Sequence, residues 1–391
     1  MAPQGRNARR VGRRRALIVA ARPPWPPFTG DRLRTAVWLE ALAAHGEVTL
    51  VAPGAPAPPG TPAHRRVTPA PAWPALPWRA LRAVGQGWPL TALLAAGRAW
   101  RSALARAAAG GDFDAAVVVL ARTHPWVAPY LPPCRRVLDA IDSLAANLQE
   151  RARAAGGPVR AFWRREAART ARLEEEVLAC YQRVVVVSEE ERGHFRGAVE
   201  VASHGLEILP EGTAPRDVEF AFWGRLAYFA NRDAALILLR QLWPAIRARL
   251  PQARLVVAGA DCPRAVRAFH GRDGVTVISP LDDRPALLRH VKVALFPMRY
   301  GSGQPNKVLE AAEASCAIVS TPAGARGVGP LGAAVVVAPL GAELVEAAVA
   351  LAGDAVRRAA LGQEGRRLVA THFDRRQARW RFAEIAGLAP R

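Results

Sequence analysis

Lysine is almost missing from this chain: Lys292 and Lys307 are the only two among 54 lysine and arginine residues. The formal net charge of +21 is therefore carried by arginine. Arginine, alanine and proline are abundant together, which points to a compositional bias of the whole proteome, so the charge carries little weight toward nucleic acid or an anionic membrane. The same bias makes a surviving lysine informative, because a position that accepts any cation would drift to arginine. Cysteine is scarce too. Cys134, Cys180, Cys262 and Cys316 stand far apart with no paired spacing, which argues against a zinc site or disulfide framework and leaves reduced core thiols as the expectation. Long apolar runs are absent: nothing approaches the ~18 residues needed to span a bilayer. The run Ala16–Ala21 behind the basic stretch Arg6–Arg15 is too short for a signal-peptide core, so a cytoplasmic protein is expected. Arg6–Arg15 suits either lipid headgroups or a solvated tail.

What is present is a globular composition, 51% hydrophobic and 22% charged, on 391 residues, more than one hydrophobic core usually serves. Short β-branched runs alternate with longer amphipathic stretches, the pattern of βα units on parallel sheets. Strands are expected at Ala16–Ala20, Glu47–Val51, Ala115–Leu120, Arg136–Asp139 and Arg183–Val187. A second series follows at Phe220–Trp223, Arg254–Ala258, Val275–Ile278, Val291–Phe296, Ala317–Ser320 and Ala334–Val337. The helical patterns include Asp31–Ala44, Ala161–Cys180, Leu340–Thr371 and Asp374–Ala386. The fold class is thus α/β, two doubly wound Rossmann-like domains facing a cleft, with a hinge in the Gly- and Pro-containing segment Ser203–Arg216. Pro53–Pro74 reads as an irregular connection. Beyond it Trp73, Trp78, Trp88 and Trp100 sit among Leu, Ala and Arg, which fits a membrane-surface segment or a helical pair covering the first sheet.

The strongest constellation follows the strand Val291–Phe296. Gly301, Ser302, Gly303, Gln304, Pro305, Asn306, Lys307 and Glu310 form a glycine-containing loop that feeds a helix start, where Pro305 suits the first turn. Free backbone N–H groups and the positive dipole end attract phosphate, and Lys307 adds a point charge. Glu310, three residues on, shares the face of Lys307 and could accept from two ribose hydroxyls. An i,i+3 surface ion pair beside a flexible loop is the plainer reading of the same spacing.

Tyr300-Gly-Ser-Gly-Gln-Pro-Asn-Lys-Val-Leu-Glu-Ala-Ala312 resembles the donor-site signature of family 4 glycosyltransferases, which have the GT-B fold, and especially the subgroup linked to bacterial exopolysaccharide synthesis. Other segments agree in order. Arg22–Arg34 is similar to the family's first loop and helix, with Gly30 where the backbone would approach a substrate. Val137–Ser143 is similar to an Asp-x-x-Asp-Ser strand end, and Val184–Ser188 to the strand before the hinge. Phe222-Trp-Gly-Arg-Leu226 is similar to the Gly-Arg motif, and Thr321–Gly324 to the loop after the donor helix. The resemblance implies a basic arm over residues 1–15, an acceptor-side domain over 16–205, a nucleotide-sugar domain over 206–372, and a terminal helix over 373–391 able to pack back on the first domain.

Carried over residue by residue, the resemblance implies that Arg225 and Lys307 contact the donor diphosphate, that Glu310 holds the ribose, and that Gly224 opens the second domain beside them. Asn231 stands where the family commonly has a lysine, so Lys307 would supply that charge. Ser302 stands where many members have a sugar-binding glutamate, and backbone groups of Ser302–Gln304 would substitute. In the first domain Arg122 and His124 follow a strand and are expected at the cleft, with His124 in a loop because Pro125 follows it. His124 would either touch the donor sugar or be a plain surface residue. Asp142 would bind acceptor hydroxyls or cap the next helix. Arg22 and Asp31 complete the acceptor side.

The implied chemistry is retaining transfer of a sugar from a nucleotide-sugar donor to a glycan or lipid-diphosphate-linked acceptor. It needs neither a cofactor nor a metal, and no Asp-x-Asp motif stands out as a cation site. Peripheral contact with an anionic inner membrane agrees with such an acceptor. A nucleic-acid-binding protein predicts clustered cations interleaved with aromatics, whereas these arginines are spread through every element, so no specific nucleic acid is expected. A sugar-nucleotide epimerase on the same fold, converting its donor without an acceptor, remains a rival. So does a degenerate transferase altered at Ser302 and Asn231.

Overall fold

The computed structural model describes residues 13–26, 29–54, 57–69, 85, 87–95, 98–212, 215–301 and 303–390. The basic arm up to residue 12, Trp73, Trp78 and Ser302 lie outside the described residues. Two parallel sheets make up the fold. The first has seven strands in the order β3-β2-β1-β4-β5-β6-β7. They are β1 (Arg14–Ala20), β2 (Gly46–Val51), β3 (Arg65–Val67), β4 (Ala115–Val119), β5 (Arg135–Ile141), β6 (Arg183–Val186) and β7 (Glu200–Val201). The second sheet has six, in the order β10-β9-β8-β11-β12-β13. These are β8 (Val218–Trp223), β9 (Leu255–Ala258), β10 (Val275–Ile278), β11 (Val291–Phe296), β12 (Ala317–Ser320) and β13 (Val335–Val337).

The central strands read as continuous apolar runs because both faces are covered; every residue of β4 is buried. Strand order reverses between β1 and β4 and again between β8 and β11, which sets a ligand crevice at the carboxyl end of each sheet. Five helices bear on the argument: α1 (Gly30–Ala43), α2 (Leu144–Ala154), α3 (Gly157–Leu178), α4 (Asn306–Glu313) and α5 (Arg375–Ile385).

Several expectations are corrected. The segment Pro53–Pro74 is not wholly irregular, since Arg65–Val67 pairs in parallel with β2 through Thr49 to Val51. The edge strand β7 was not expected; at two residues it carries too little pattern to be seen. Arg14 and Arg15 belong to β1 rather than to the arm, and the Arg15 amide donates to Asp114 Oδ2 at 2.7 Å. Leu340–Thr371 is two helices, Ala342–Gly353 and Ala355–His372, because Asp354 caps the second through the Arg357 amide. Trp100 is buried in the first domain's core, and Trp88 is half-buried and lies edge-on to Trp126. Of the four cysteines, all unpaired, only Cys316 is buried, and Cys180 is exposed.

The chain crosses between the domains twice. The linker after β7 and the segment entering α5 are hydrogen-bonded to each other, with Leu206 N donating to Phe373 O and Arg375 N donating to Leu206 O. Helix α5 then lies on α1, its Phe382 stacked on Trp38 at 4.2 Å. Beneath that stack, fully buried Arg34 pairs with Asp139 of β5 at 2.6 Å, and Arg34 Nη1 donates to Ala202 O of the linker at 2.6 Å. Removing one partner of such a pair leaves an uncompensated buried charge, a loss of about 3–5 kcal/mol. The ion pair therefore fixes the first sheet, the linker and the terminal helix together.

Candidate functional site

The second domain's wall of the cleft is built at the carboxyl ends of β8 and β11. Lys307 is the second residue of α4, with Pro305 as N-cap rather than inside the first turn. Its ammonium lies 2.6 Å from Asn231 Oδ1 and 4.8 Å from the centre of the Phe222 ring. Asn231 in turn donates through Nδ2 to the Arg225 carbonyl at 3.0 Å. The lysine charge thus reaches the residue position where the resemblance lacks a cation. Desolvation pulls the Lys307 ammonium down to about 8, with Glu310 acting the other way. Gly224 is needed here, because its φ of +146° suits glycine and a Cβ would meet Asn231 Nδ2 at 2.9 Å and Lys307 Nζ at 3.5 Å.

Glu310 does not pair with Lys307 at contact distance. Trp223 Nε1 donates to its Oε2 at 2.8 Å, and Arg284 Nη1 lies 3.1 Å from Oε1. Burial raises its pKa, opposed by Arg284, Trp223 and Lys307. Two of about four acceptor sites on the carboxylate are taken, which leaves room for a ligand hydroxyl. Arg225 is half exposed, its Nε on Asp261 Oδ2 at 2.7 Å. Gly301 packs over the Thr321–Gly324 loop, where a Cβ would come within 2.5 Å of Ala323 O. The side chains of Gln304 and Asn306 face the linker rather than open space. Ser203 Oγ donates to Gln304 Oε1 at 2.9 Å, and His204 Nε2 lies 3.0 Å from Asn306 Oδ1. Burial, with Arg34 and Arg375 nearby, drives His204 down to about 3, so its ring is neutral.

The first domain's wall gathers four of the expected residues. Arg22 Nη1 lies 3.6 Å from Asp31 Oδ2 near the start of α1, whose first residue, Gly30, has open space where a Cβ would stand. Burial, with Arg22 beside it, lowers the Arg122 guanidinium, while Asp31 and Asp142 act in the opposite sense; Arg122 Nε is buried without a hydrogen-bond partner among the described residues. Asp142 follows β5. Burial and the nearby Glu191 push its carboxyl up to about 7. It is not a helix cap, since Ser143 Oγ accepts from the Ala146 amide and Glu174 accepts from Leu144 N and Ser143 Oγ. Asp142 instead faces the opposite wall, its Oδ2 3.4 Å from where a Gly303 Cβ would stand.

His124 does not share this surface. Pro125 is accommodated in the first turn of a short helix, His124–Val127, so the loop expectation fails. The ring turns to Tyr181, whose hydroxyl lies 2.9 Å from Nδ1 and which precedes β6 at the amino end of the sheet. Burial, reinforced by Arg136, pulls it down to about 4, so it is neutral.

Glu191 was missed by the sequence reading. It follows β6 three residues after the N-cap Ser188, a Ser-x-x-Glu spacing that signals a helix start. Its Oε2 accepts from Ser143 N at 2.8 Å and its Oε1 accepts from Gly303 N at 2.7 Å. A buried first-domain carboxylate therefore holds an amide of the glycine loop across the cleft. Gly303, at φ +70°, turns that amide toward it. Further contacts close the domains: Arg326 reaches the Gly301 carbonyl and pairs with Glu150 of α2, and Arg151 of α2 lies over the Phe229 ring at 4.9 Å. Among the described residues no group of three or more His, Cys, Asp or Glu side chains is arranged to hold a metal ion.

Residues 217–354, the part of the chain that contains Lys307 and Glu310, match the family model described as glycosyl transferases group 1. No curated protein matches the chain. Among solved structures, sucrose-phosphate synthase from Thermosynechococcus elongatus is similar over 95% of this chain and 98% of its own, with a TM-score of 0.72 and 15% identity. HepE from Anabaena, in complex with UDP, is similar over 95% and 98%, with a TM-score of 0.67 and 14% identity. WaaG, a glycosyltransferase involved in lipopolysaccharide biosynthesis, covers 95% and 100%, with a TM-score of 0.65 and 15% identity. At these identities the structural likeness establishes the two-domain GT-B architecture, while the family match concerns the second domain itself. The chain has the two-domain GT-B fold, and its second domain is similar over residues 217–354 to the group 1 glycosyltransferases.

Proposed function

We propose that the protein moves a sugar from a nucleotide-diphosphate sugar to a hydroxyl of a glycan or lipid-linked glycan, with retention of anomeric configuration and without a metal ion, in exopolysaccharide or cell-envelope glycan synthesis. The observation that carries this reading is the Lys307 ammonium held on Asn231 beside Gly224, at the start of α4. A half-buried amine, a helix N-terminus and a close-approaching backbone suit a diphosphate. In this reading Lys307 and Arg225 hold the diphosphate, Glu310 takes ribose hydroxyls, and backbone groups near Gly301 and Gly303 meet the donor sugar. Arg22, Asp31, Arg122 and Asp142 line the acceptor side. HepE structures in complex with UDP and with UDP-glucose put uridine first among the bases to test.

The C1–O bond to the diphosphate breaks as the acceptor oxygen bonds C1 on the same face, and the acceptor proton passes to the departing phosphate oxygen. Lys307 and Arg225 stabilise the charge that develops on that leaving group. The acceptor is presented at the cytoplasmic face of an anionic membrane. A thermal-shift panel of UDP, GDP and ADP sugars on the wild type and Lys307→Ala tests the donor reading. At least one nucleotide sugar stabilises the wild type and not the variant. If none stabilises the wild type the donor reading fails, and equal stabilisation of the variant removes the role given to Lys307.

A further inference from the structure

Helices α2 and α3 form an antiparallel hairpin that starts at the cleft and turns at Ala155 and Gly156. Near that turn apolar side chains stand exposed among arginines. Val159 is 55% exposed and Phe162 46%, side by side on the first turns of α3, with Trp163 packed edge-on to Phe162. Around them Arg153, Arg160, Arg164 and Arg165 are exposed. None of these four makes an ion pair among the described residues, although Arg160 Nε donates to the Ala155 carbonyl.

Arginine is common everywhere in this chain, so its presence alone decides nothing. Its pairing does. Trp380 on α5, an exposed tryptophan among arginines, sits beside Arg376, Arg379 and Arg381, each matched to a carboxylate: Asp374, Glu40, and Glu200 with Glu384 respectively. On α3 the acids gather at the far end, Glu174 to Glu176, and the one acid near the turn, Glu166, is buried and occupied by Arg169 and the Leu90 amide. The hairpin end thus sets exposed apolar side chains among guanidinium groups that have no ion pair among the described residues. That is the chemistry of a surface that inserts a few side chains below the headgroups of an anionic bilayer while arginines meet the phosphates.

Position adds a second argument. Arg151 lies over both the Trp163 ring, at 5.6 Å, and the Phe229 ring of the second domain, at 4.9 Å. The hairpin end is therefore one side chain removed from the rim where the two domains meet. An eleven-residue helix such as α2 is about 16 Å long. That separates the hairpin end from Ser143 and Asp142 at its other end, so a bilayer touching the hairpin end would lie within reach of the cleft for an acceptor anchored in it.

We propose that the tip of the α2–α3 hairpin is the membrane-docking surface of this protein, with Val159 and Phe162 entering the interface of an anionic bilayer and Arg153, Arg160, Arg164 and Arg165 binding its phosphate headgroups. The proposal rests on the lipid-linked acceptor reading, but its test is separate from donor binding. Full-length protein is sedimented with vesicles of phosphatidylcholine, alone or with 30 mol% phosphatidylglycerol taken as roughly the anionic content that attracts basic surfaces. The wild type binds the anionic vesicles and not the neutral ones, and added salt weakens binding. Val159→Ser with Phe162→Ser, and separately Arg160→Glu with Arg164→Glu, each lower partitioning at least about tenfold. All of these side chains are exposed, and both variants retain the nucleotide-sugar thermal shift of the wild type. Undiminished binding by either variant overturns the proposal, as does a wild type that ignores anionic vesicles. A dimer in solution that Phe162→Ser disperses would assign the hairpin end to a second copy of the chain. Loss of binding only when residues 1–12 are removed would assign docking to the basic arm.

Discussion

The two walls of the cleft use charge in opposite ways. On the second domain's wall Arg225 and Arg284 are paired with Asp261 and Glu310, whereas the Lys307 amine has a neutral amide as its nearest polar partner and aromatic rings beside it. The first domain presents a mixed cluster, in which Arg22 and Arg122 face Asp31 and Asp142, with Glu191 close by. A desolvated amine with no carboxylate at contact distance is costly to keep and is best compensated by an anion of fixed position, which a diphosphate supplies. A balanced cluster of carboxylates and guanidinium groups has no such preference and suits hydroxyl-rich ligands that both donate and accept. The difference teaches that, in the proposed function, donor and acceptor recognition are divided between the domains by charge arrangement and not only by position.

The largest expected effect breaks the second wall. Lys307→Ala lowers kcat/KM for donor by about 10²–10³-fold, the usual consequence of deleting one preorganised group at a developing charge, measured by steady-state kinetics. Gly224→Ala comes next. It places a Cβ against Asn231 and Lys307 in a backbone region that disfavours alanine, so calorimetric melting shows a loss of about 1–3 kcal/mol and donor affinity falls with it.

Glu191→Gln attacks the joint between the walls. A glutamine accepts well from only one of the two amides that the carboxylate now serves, and leaving the other unsatisfied costs about 1–3 kcal/mol. Hydrogen exchange at Gly303 should quicken while the second domain's core stays protected.

The smallest effects separate the walls by pH. Lys307 is charged below about 8 and Asp142 is ionised above about 7. Activity should therefore rise through about 7 as Asp142 ionises and fall above about 8 as Lys307 loses its proton, a bell-shaped profile. Lys307→Arg removes the alkaline limb, because guanidinium stays charged. Asp142→Asn removes the acid limb and raises the acceptor KM without changing donor affinity. If both variants keep both limbs, the assignment of the two titrations is wrong.

How much of this was legible in the sequence also differs between the walls. The loop and helix from Gly301 to Glu310 are contiguous, so the phosphate-suited spacing could be read directly, and the second-domain strands fell within two residues of their observed ends. The first wall is assembled from Arg22, Asp31, Arg122, Asp142 and Glu191, which are spread over some 170 positions and meet only because β1, β4, β5 and β6 end at one edge of the sheet. Glu191 has the spacing of a helix-start residue, and no local pattern could show its reach to Gly303. His124 was misplaced because an X-Pro pair reads as extended chain, whereas here Pro125 occupies a first helical turn and the ring is drawn under Tyr181. Gln304 lies in the expected loop and Asn306 at the expected helix start, but their partners Ser203 and His204 belong to the linker, a contact that depends on how the domains pack.

The most direct test of the division between the walls is titration calorimetry of one UDP sugar into the wild type, Lys307→Ala and Asp142→Asn at pH 7.5, about midway between the two titrations. The account predicts that Asp142→Asn binds the donor as the wild type does and that Lys307→Ala binds at least about tenfold more weakly. Equal donor affinity in all three proteins, or a loss in Asp142→Asn as large as in Lys307→Ala, would contradict it.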